Sequence, residues 1–279
     1  MEIVLRKARP EDKEKVQWVE SLSTPGLSYV KHVWDMFIND KEGDWSVEEV
    51  DGEIVASGKY SILPDGSAWL ETLRVIPARQ GLGLGKRLYE HWLKLSAEKG
   101  VKTMRMYTGV KNVVSAGLAR RYGLSLAQTF HGVKMKCEPI ALEPVTGFKR
   151  ITDPDIATDL LMPLGAKWGG WMVMNRTYFK WSPELCEWLT EKGMVYKDEE
   201  TGSVVVMGAR FMANMQLHIG LFDGDSEKCL RFAHASGIDT GVGSIHCLYP
   251  DDKKGIEQAL LDCGFEMEAS PFIVMEINL

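Results

Sequence analysis

Cysteine is scarce in this sequence, and long apolar runs are missing from it. The five cysteines are widely separated and form no C-x-x-C pair, which fits reduced thiols better than a disulfide framework or a zinc site. No apolar stretch approaches the roughly 20 residues of a membrane-spanning helix. The opening segment, MEIVLRK, carries its charges on the wrong side for a signal peptide. We therefore expect a cytoplasmic protein without a metal site or a membrane contact.

Basic residues are outnumbered as well. Lys and Arg total 33 against 39 Asp and Glu, which gives a net charge of −6 and a pI near 5.6. That balance argues against a nucleic-acid partner held by phosphate neutralisation. An acidic surface favours a cationic partner such as an amine, although ordinary solubility has the same signature. With 279 residues, 45% of them apolar, the chain is long enough for two globular domains.

Glycine is concentrated at one informative place, the stretch from Val75 to Leu88. Gly81, Gly83 and Gly85 allow a tight turn and a close approach of backbone N–H groups to a ligand. Apolar residues then follow at helical spacing, so the turn opens a helix whose first amides and positive dipole end point at the same place. The pattern predicts a phosphate-binding turn. A purely structural turn that caps the helix would use the same residues.

Spacing argues against two familiar phosphate motifs. A Walker A loop has Ser or Thr after its lysine, but Arg87 follows Lys86 here. A dinucleotide fingerprint needs a third glycine three residues after G-x-G, and those positions hold Lys86 and Leu88. What remains is Gln80-x-x-Gly83-x-Gly85 behind a strand that ends in Leu73-Arg-Val75.

This arrangement resembles the acyl-CoA signature of the GCN5-related N-acetyltransferase (GNAT) superfamily. In that family the loop amides hold the pyrophosphate of coenzyme A, and the preceding strand pairs with the pantetheine arm. The resemblance implies acetyl-CoA as co-substrate, without a metal. It also implies cofactor contacts at Leu73, Arg74, Val75, Gln80, Gly81, Leu82, Gly83, Leu84, Gly85, Lys86 and Asn112. Asn112 is equally suited to cap the helix that follows it.

The order of expected elements in the first half is also that of the GNAT fold. A strand and helix open the chain, a three-strand meander ends at Val75, and a strand, a helix and a final hairpin (124–130 with 133–137) follow the glycine turn. The segment Leu118-Ala-Arg-Arg-Tyr-Gly-Leu124 resembles the family's L-Y-x-x-x-G-F ending. The resemblance covers about residues 1–140.

The second half resembles a degenerate copy of the first. Lys149–Asp155 echoes Arg6–Asp12, and Ala259–Phe265 echoes Leu118–Leu124 at a similar offset, which indicates a tandem duplication. Where the phosphate turn should lie, Asp223-Gly-Asp-Ser226 would repel a pyrophosphate, so we expect no acyl-CoA there. The expected fold class is α/β (α+β), with two GNAT-like domains, each a mixed, mostly antiparallel sheet flanked by helices. Their expected bounds are 1–140 and 145–279, joined by a linker at 138–144.

Glu71 is the candidate general base by the same resemblance. Strand alternation places it on one face with Leu73 and Val75, and a carboxylate near apolar walls is tuned towards a useful base. A glutamate that only binds a neighbouring strand is the alternative.

The general acid is harder to assign, because the family's tyrosine position holds Ala119. Tyr122 and Tyr107 are the candidates, and solvent can also protonate a leaving thiolate. His131, expected in the final hairpin turn, is a weaker candidate for the acceptor site. The aromatic segment Trp168–Trp181 serves either as packing or as part of an acceptor pocket.

The sequence thus predicts an N-acetyltransferase that moves an acetyl group from acetyl-CoA to an amine of a small molecule or protein by direct attack in a ternary complex. The competing hypothesis is a non-catalytic acyl-CoA sensor or scaffold, favoured by Ala119 and the degenerate half. Dimerisation is left open.

Overall fold

The computed structural model describes residues 1–26, 28–138 and 145–279. The described chain divides into two compact units. The first unit contains residues 1–108, 112–127 and 275–279, and the second contains residues 109–111 and 128–274. The expected linker at 138–144 lies almost wholly outside the described residues, so the domain bounds stay a prediction.

The first unit is a mixed sheet with helices on both faces. Its elements are β1 (Ile3–Lys7), α1 (Lys13–Ser23), α2 (Val30–Ile38), β2 (Asp44–Val50), β3 (Glu53–Ile62), β4 (Ala68–Val75), α3 (Leu84–Lys99), β5 (Thr103–Gly109) and α4 (Val113–Arg121). The strands lie in the order β1-β2-β3-β4-β5. Only β4 and β5 pair in parallel, while the other neighbours are antiparallel.

Side-chain alternation along β3 separates the two faces of this sheet. The Tyr60 hydroxyl binds Ser96 of α3 at 2.9 Å, and a Cβ on Gly58 would lie 2.6 Å from the Trp92 ring of the same helix. Lys59 points the other way, where its ammonium group lies 5.6 Å from the ring centroid of Phe37 in α2. Alternate residues of β3 therefore face α3 on one side and α2 on the other.

The second unit repeats the same kind of sheet. The chain continues with β6 (Ser125–Lys136), β7 (Phe148–Arg150), α5 (Pro154–Lys167), β8 (Trp171–Met174), β9 (Thr177–Lys180), α6 (Pro183–Glu191), β10 (Val195–Asp198), β11 (Val204–Gly208), β12 (Gln216–Asp223), α7 (Ser226–Asp239), β13 (Ser244–Pro250), α8 (Lys254–Asp262), β14 (Glu266–Met267) and β15 (Phe272–Asn278). All of these residues belong to the second unit except 125–127 of β6 and 275–278 of β15, which belong to the first. The strand order is β6-β13-β12-β11-β10-β7, and again one pair, β12–β13, is parallel. The expected fold class is confirmed.

The expected hairpin at 124–137 is wrong. Residues 125–136 form the single strand β6, with Gly132 paired to Leu248 and His131 paired to Tyr249 of β13. Gly132 is required for close packing instead of a turn, because a Cβ there would lie 2.9 Å from the Glu268 carboxylate. His131 therefore lies within a strand.

The aromatic segment Trp168–Trp181 lies at the end of α5 and along the β8–β9 hairpin. Its aromatic side chains are all buried in the second unit: Trp168, Trp171, Tyr178, Phe179 and Trp181. The Trp181 indole N–H donates to the Trp171 carbonyl at 3.1 Å. These contacts are those of core packing.

Candidate active site

The strands β4 and β5 separate partway along their length. Their parallel pairing joins Ala68–Leu70 to Met104–Met106, and within the described residues it goes no further, although β4 continues to Val75. One edge of β4 from Glu71 onward is thereby released from its neighbour on that side. Such an edge offers backbone donors and acceptors to an extended ligand.

A β-bulge in β4 fixes where its side chains point. Ser57 pairs with Arg74 and Lys59 with Glu71, so Thr72 and Leu73 together lie opposite one residue of β3. Thr72 has φ +54°, an unusual value for a β-branched residue. The expectation that Glu71 shares a face with Leu73 and Val75 is therefore wrong, because the bulge reverses the alternation. Glu71 lies on the α2 face, and Leu73 and Val75 lie on the α3 face.

Glu71 is buried between two hydroxyl groups, with 8% of its surface exposed. Ser61 Oγ donates to its Oε1 at 2.7 Å, and the Tyr29 hydroxyl lies 3.5 Å from its Oε2. Tyr29 is held in turn by Glu20 of α1, whose carboxylate accepts the amides of Tyr29 and Val30 at the start of α2. Sequence reasoning missed Tyr29 and Ser61. The alternation of β3 could have placed Ser61 on the face of Glu71. No sequence pattern connects Tyr29, which lies 42 residues before Glu71, with this site.

Tyr107 lies where β4 and β5 separate. The parallel register that pairs Trp69 with Arg105 brings Tyr107 level with Glu71 and onto the same face. Its ring stacks on that of Trp69, with centroids 6.0 Å apart and an interplanar angle of 2°. The structure therefore brings Tyr107 and Glu71 to one end of the strand pair.

The glycine turn before α3 has the geometry expected of an anion-binding turn. Gly81 and Gly83 have φ of +84° and +81°, and a Cβ on either would meet nothing within 4 Å. No acceptor within the described residues receives the backbone amides from Gly81 to Gly85. The first turn of α3 thus presents unpaired N–H groups and the positive end of its dipole to an open space.

The third glycine has a packing role. A Cβ on Gly85 would lie 3.0 Å from Leu118 of α4 and 3.8 Å from Leu73. The glycine at this position therefore lets α3 approach α4 and the end of β4 closely.

The two basic residues after the glycines differ in their surroundings. Lys86 is exposed, and no carboxylate of the described residues forms an ion pair with it. Arg87 binds the buried carboxylate of Glu48 at 2.8 Å. Burial raises the pKa of Glu48 to about 7, although its contact with Arg87 acts in the opposite direction. Of these two residues, only Lys86 is without an ion pair in the described part of the chain.

Residues 10–124 match the model of the acetyltransferase (GNAT) family. These residues form a GNAT-like domain. The comparison with curated proteins gives no match.

Solved structures extend the likeness in fold over nearly the whole chain. A GCN5-related N-acetyltransferase from Sphaerobacter thermophilus has a TM-score of 0.67 at 12% identity, covering 99% of this chain and 95% of its own. A tandem GNAT protein from the clavulanic acid biosynthesis pathway has 0.64 at 15%, covering 99% and 98%. A GCN5-related glucosamine N-acetyltransferase region of a fungal β-N-acetylglucosaminidase has 0.70 at 11%, covering 99% and 38%. These likenesses show that the fold is that of tandem GNAT proteins.

Tyr122 contacts α3 through both its hydroxyl and its ring. The Tyr122 hydroxyl donates to Glu90 of α3 at 2.9 Å, and its ring stacks on Tyr89 with centroids 5.1 Å apart. Burial and the bond to Glu90 raise the pKa of Tyr122 to about 12, which makes this phenol a weaker proton donor. Ala119 is fully buried at the family's tyrosine position.

Asn112 of the GNAT domain begins α4. Its side-chain oxygen accepts the Ser115 amide at 3.1 Å, so it caps the helix. The side chain is exposed. Its amide nitrogen has the chemistry to donate to a ligand as well.

The GNAT-like second unit closes the corresponding helix with its own carboxylates. Asp225 accepts the Lys228 amide at 3.0 Å, and Asp223 lies 3.5 Å from the ammonium group of Lys167. A bulge at Gly220 in β12 corresponds to the bulge in β4, and the residue before it is Ile219 where the GNAT domain has Glu71. The second unit thus has an apolar residue in place of Glu71, and carboxylates at the start of its helix in place of the open glycine turn.

The described residues contain no group of three or more His, Cys, Asp or Glu side chains placed to hold a metal ion. None of their helices is long and apolar enough to cross a membrane.

Proposed function

We propose that the GNAT domain transfers an acetyl group from acetyl-CoA to an amine by direct attack in a ternary complex. One observation carries the proposal: the released edge of β4 bears Glu71 and leads, within a few residues, into a turn whose amides have no acceptor among the described residues. We place the reaction in the cytoplasm, where the five free cysteines stay reduced.

The residues present fit acetyl-CoA. The amides from Gly81 to Gly85 and the exposed Lys86 have the donors and the charge to hold a pyrophosphate. The edge of β4 at Leu73–Val75 would accept the pantetheine arm as an added strand, with Gln80 next to Val75. The resemblance to the family adds Asn112 to these contacts. Acetyl-CoA, when bound, supplies the acetyl thioester. A backbone N–H of the β4 edge is suited to polarise its carbonyl.

Glu71 acts as the general base in this proposal. Its carboxylate attracts a protonated amine and accepts the proton that the amine must lose before or during attack. The Ser61 hydroxyl holds Oε1, so the carboxylate keeps one orientation while Oε2 faces Tyr29. The base is thus pre-oriented before the acceptor arrives.

Tyr107 is the proposed proton donor to the leaving thiolate, because it lies level with Glu71 where the strands separate. Tyr122 is the second candidate, with its proton directed to Glu90. Solvent is the third.

Substitution of the base gives the direct test. In Glu71→Gln we expect kcat for thiol release, measured against a screen of primary amines and amino-terminal peptides, to fall by about 10²- to 10⁴-fold. The affinity for acetyl-CoA should stay unchanged. Glu53→Gln, which changes an exposed glutamate at the start of β3, is the matched control.

Unchanged turnover in Glu71→Gln would contradict the role of Glu71. Tight binding of acetyl-CoA by the wild type without turnover of any amine would favour the sensor hypothesis instead.

A further inference from the structure

A second constellation of catalytic residue types lies in the second unit. The Ser244 hydroxyl lies 2.8 Å from His246 Nε2, and His246 Nδ1 lies 3.7 Å from Glu268 Oε1. The other carboxylate oxygen of Glu268 binds Arg176 at 2.6 Å. The four side chains thus form a chain that runs from a hydroxyl through an imidazole to an anchored carboxylate.

The local structure explains why these groups meet. Ser244 and His246 are alternate residues of β13, so they share one face of the sheet. Glu268 packs against the bare backbone of Gly132 in β6, where a Cβ would lie 2.9 Å from the carboxylate. Arg176 reaches Glu268 from the turn of the β8–β9 hairpin, where its φ is +57°.

The order of bonds matches the requirements of an activated serine. A carboxylate beside Nδ1 favours the tautomer that carries its proton there, which leaves Nε2 free to accept the serine proton. The gap of 3.7 Å is longer than a hydrogen bond, but such contacts commonly tighten when a substrate binds. Arg176 holds the carboxylate by a charge-assisted bond.

Ser244 is also positioned to meet a ligand. It is half-buried and follows directly on Gly243, which is exposed. A polar reactant can therefore reach the hydroxyl from the glycine side of the strand.

Unmet hydrogen-bonding groups surround the same cluster. His218, only 2% exposed, stacks on His246 with ring centroids 5.4 Å apart. Neither of its ring nitrogens has a partner within the described residues, and the same holds for Arg176 Nη1. Burial lowers the pKa of His218 well below its usual range, so its ring is neutral and carries one N–H donor. Buried donors of this kind suit a site where negative charge develops.

We propose that Ser244 is a nucleophile with His246 as its base, and that the second unit hydrolyses carboxylic esters. Ser244 Oγ forms a bond to the ester carbonyl carbon while its proton passes to His246 Nε2. The carbon–oxygen bond to the alcohol breaks, and the alcohol leaves with that proton. Water then attacks the acyl-serine, gives a proton to His246 and releases the acid as the proton returns to Ser244. Glu268 and Arg176 are positioning residues.

A fluorophosphonate probe tests the nucleophile on the full chain. We expect one label per chain, mapped by peptide mass spectrometry to Ser244, and no label in Ser244→Ala. Ser236→Ala is the matched control, because the hydroxyl of this serine donates to the Phe232 carbonyl within α7, and the variant should label like the wild type.

Variants of the other members separate catalysis from folding. In His246→Gln and Glu268→Gln the labelling rate and kcat for p-nitrophenyl acetate should fall, by about 10³-fold for the histidine, with KM and acetyl-CoA affinity kept. The melting temperature should stay unchanged in His246→Gln and fall in Glu268→Gln, which loses the ion pair with Arg176. Absence of a label on Ser244, or equal labelling in His246→Gln, would overturn the proposal. It does not depend on Glu71, so Glu71→Gln should leave the labelling unchanged.

Discussion

Glu71, the proposed general base, is a buried carboxylate between two hydroxyl groups. Ser61 donates to one oxygen, and Tyr29 lies beside the other. The residue type and position follow from the strand motif in the sequence. The two hydroxyl partners come from the residue that precedes α2 and from β3, and their approach depends on tertiary packing.

Substitution of the two candidate tyrosines should affect kcat differently. Tyr107→Phe should lower kcat by about 10²-fold, because the proposed proton donor to the thiolate is lost. Tyr122→Phe should leave kcat within about twofold, since its hydroxyl is bound to Glu90 and its raised pKa opposes proton donation. Steady-state kinetics with acetyl-CoA in excess measures both. A large loss of kcat in Tyr122→Phe alone would reverse the assignment.

The raised pKa of Glu48 predicts that the stability of the folded chain depends on pH. Its pKa of about 7 in the folded chain lies above the ordinary value of 4.5, so the folded state binds more protons between these values. Its contribution to the free energy of unfolding therefore falls as pH rises from about 4.5 to about 7, by at most about 1.4 kcal/mol per pH unit. Chemical denaturation of wild type and Glu48→Gln across this range measures the difference.

The variant should lack this slope, whereas Glu53→Gln should keep it. A wild type that gained stability relative to Glu48→Gln over the same range would contradict the burial argument.

At the scale of elements, β4, the glycine turn and α3 act as one structural feature. The turn was predictable because closely spaced glycines before an apolar helix favour a tight turn that exposes backbone amides. The bulge was not, because Thr72 is a β-branched residue at φ +54° and nothing in its type indicates that conformation. Strand β6 was misread for a related reason: Gly132 resembles a turn residue, but it is required by the Glu268 carboxylate.

The turn itself can be tested with a matched pair of glycines. Gly83→Ala and Gly66→Ala both place a Cβ at positive φ with nothing within 4 Å, so each should cost about 1–2 kcal/mol of stability. Only Gly83→Ala should weaken acetyl-CoA binding, by about tenfold or more, because it shifts the amides before α3. Calorimetric titration and thermal unfolding separate the two effects. Equal affinities in both variants would show that the turn does not hold the ligand.

At the scale of the whole molecule, each of the two units has one parallel strand pair and a bulge in the strand before a helix. The echoes at Arg6–Asp12 and Lys149–Asp155 made the duplication predictable. The sequence did not predict which unit contains the last residues. Residues 275–279 belong to the first unit, where Glu276 binds Arg105. Sequence separation gives no sign of such a long-range pairing, which only the folded sheet establishes.

The central claim is that only the copy with Glu71 and the unpaired glycine-turn amides binds acyl-CoA. Isothermal titration of the full chain with acetyl-CoA tests it most directly. We expect one molecule bound per chain. Two molecules per chain, or none at concentrations up to about 1 mM, where the binding free energy is only about −4 kcal/mol, would contradict the account.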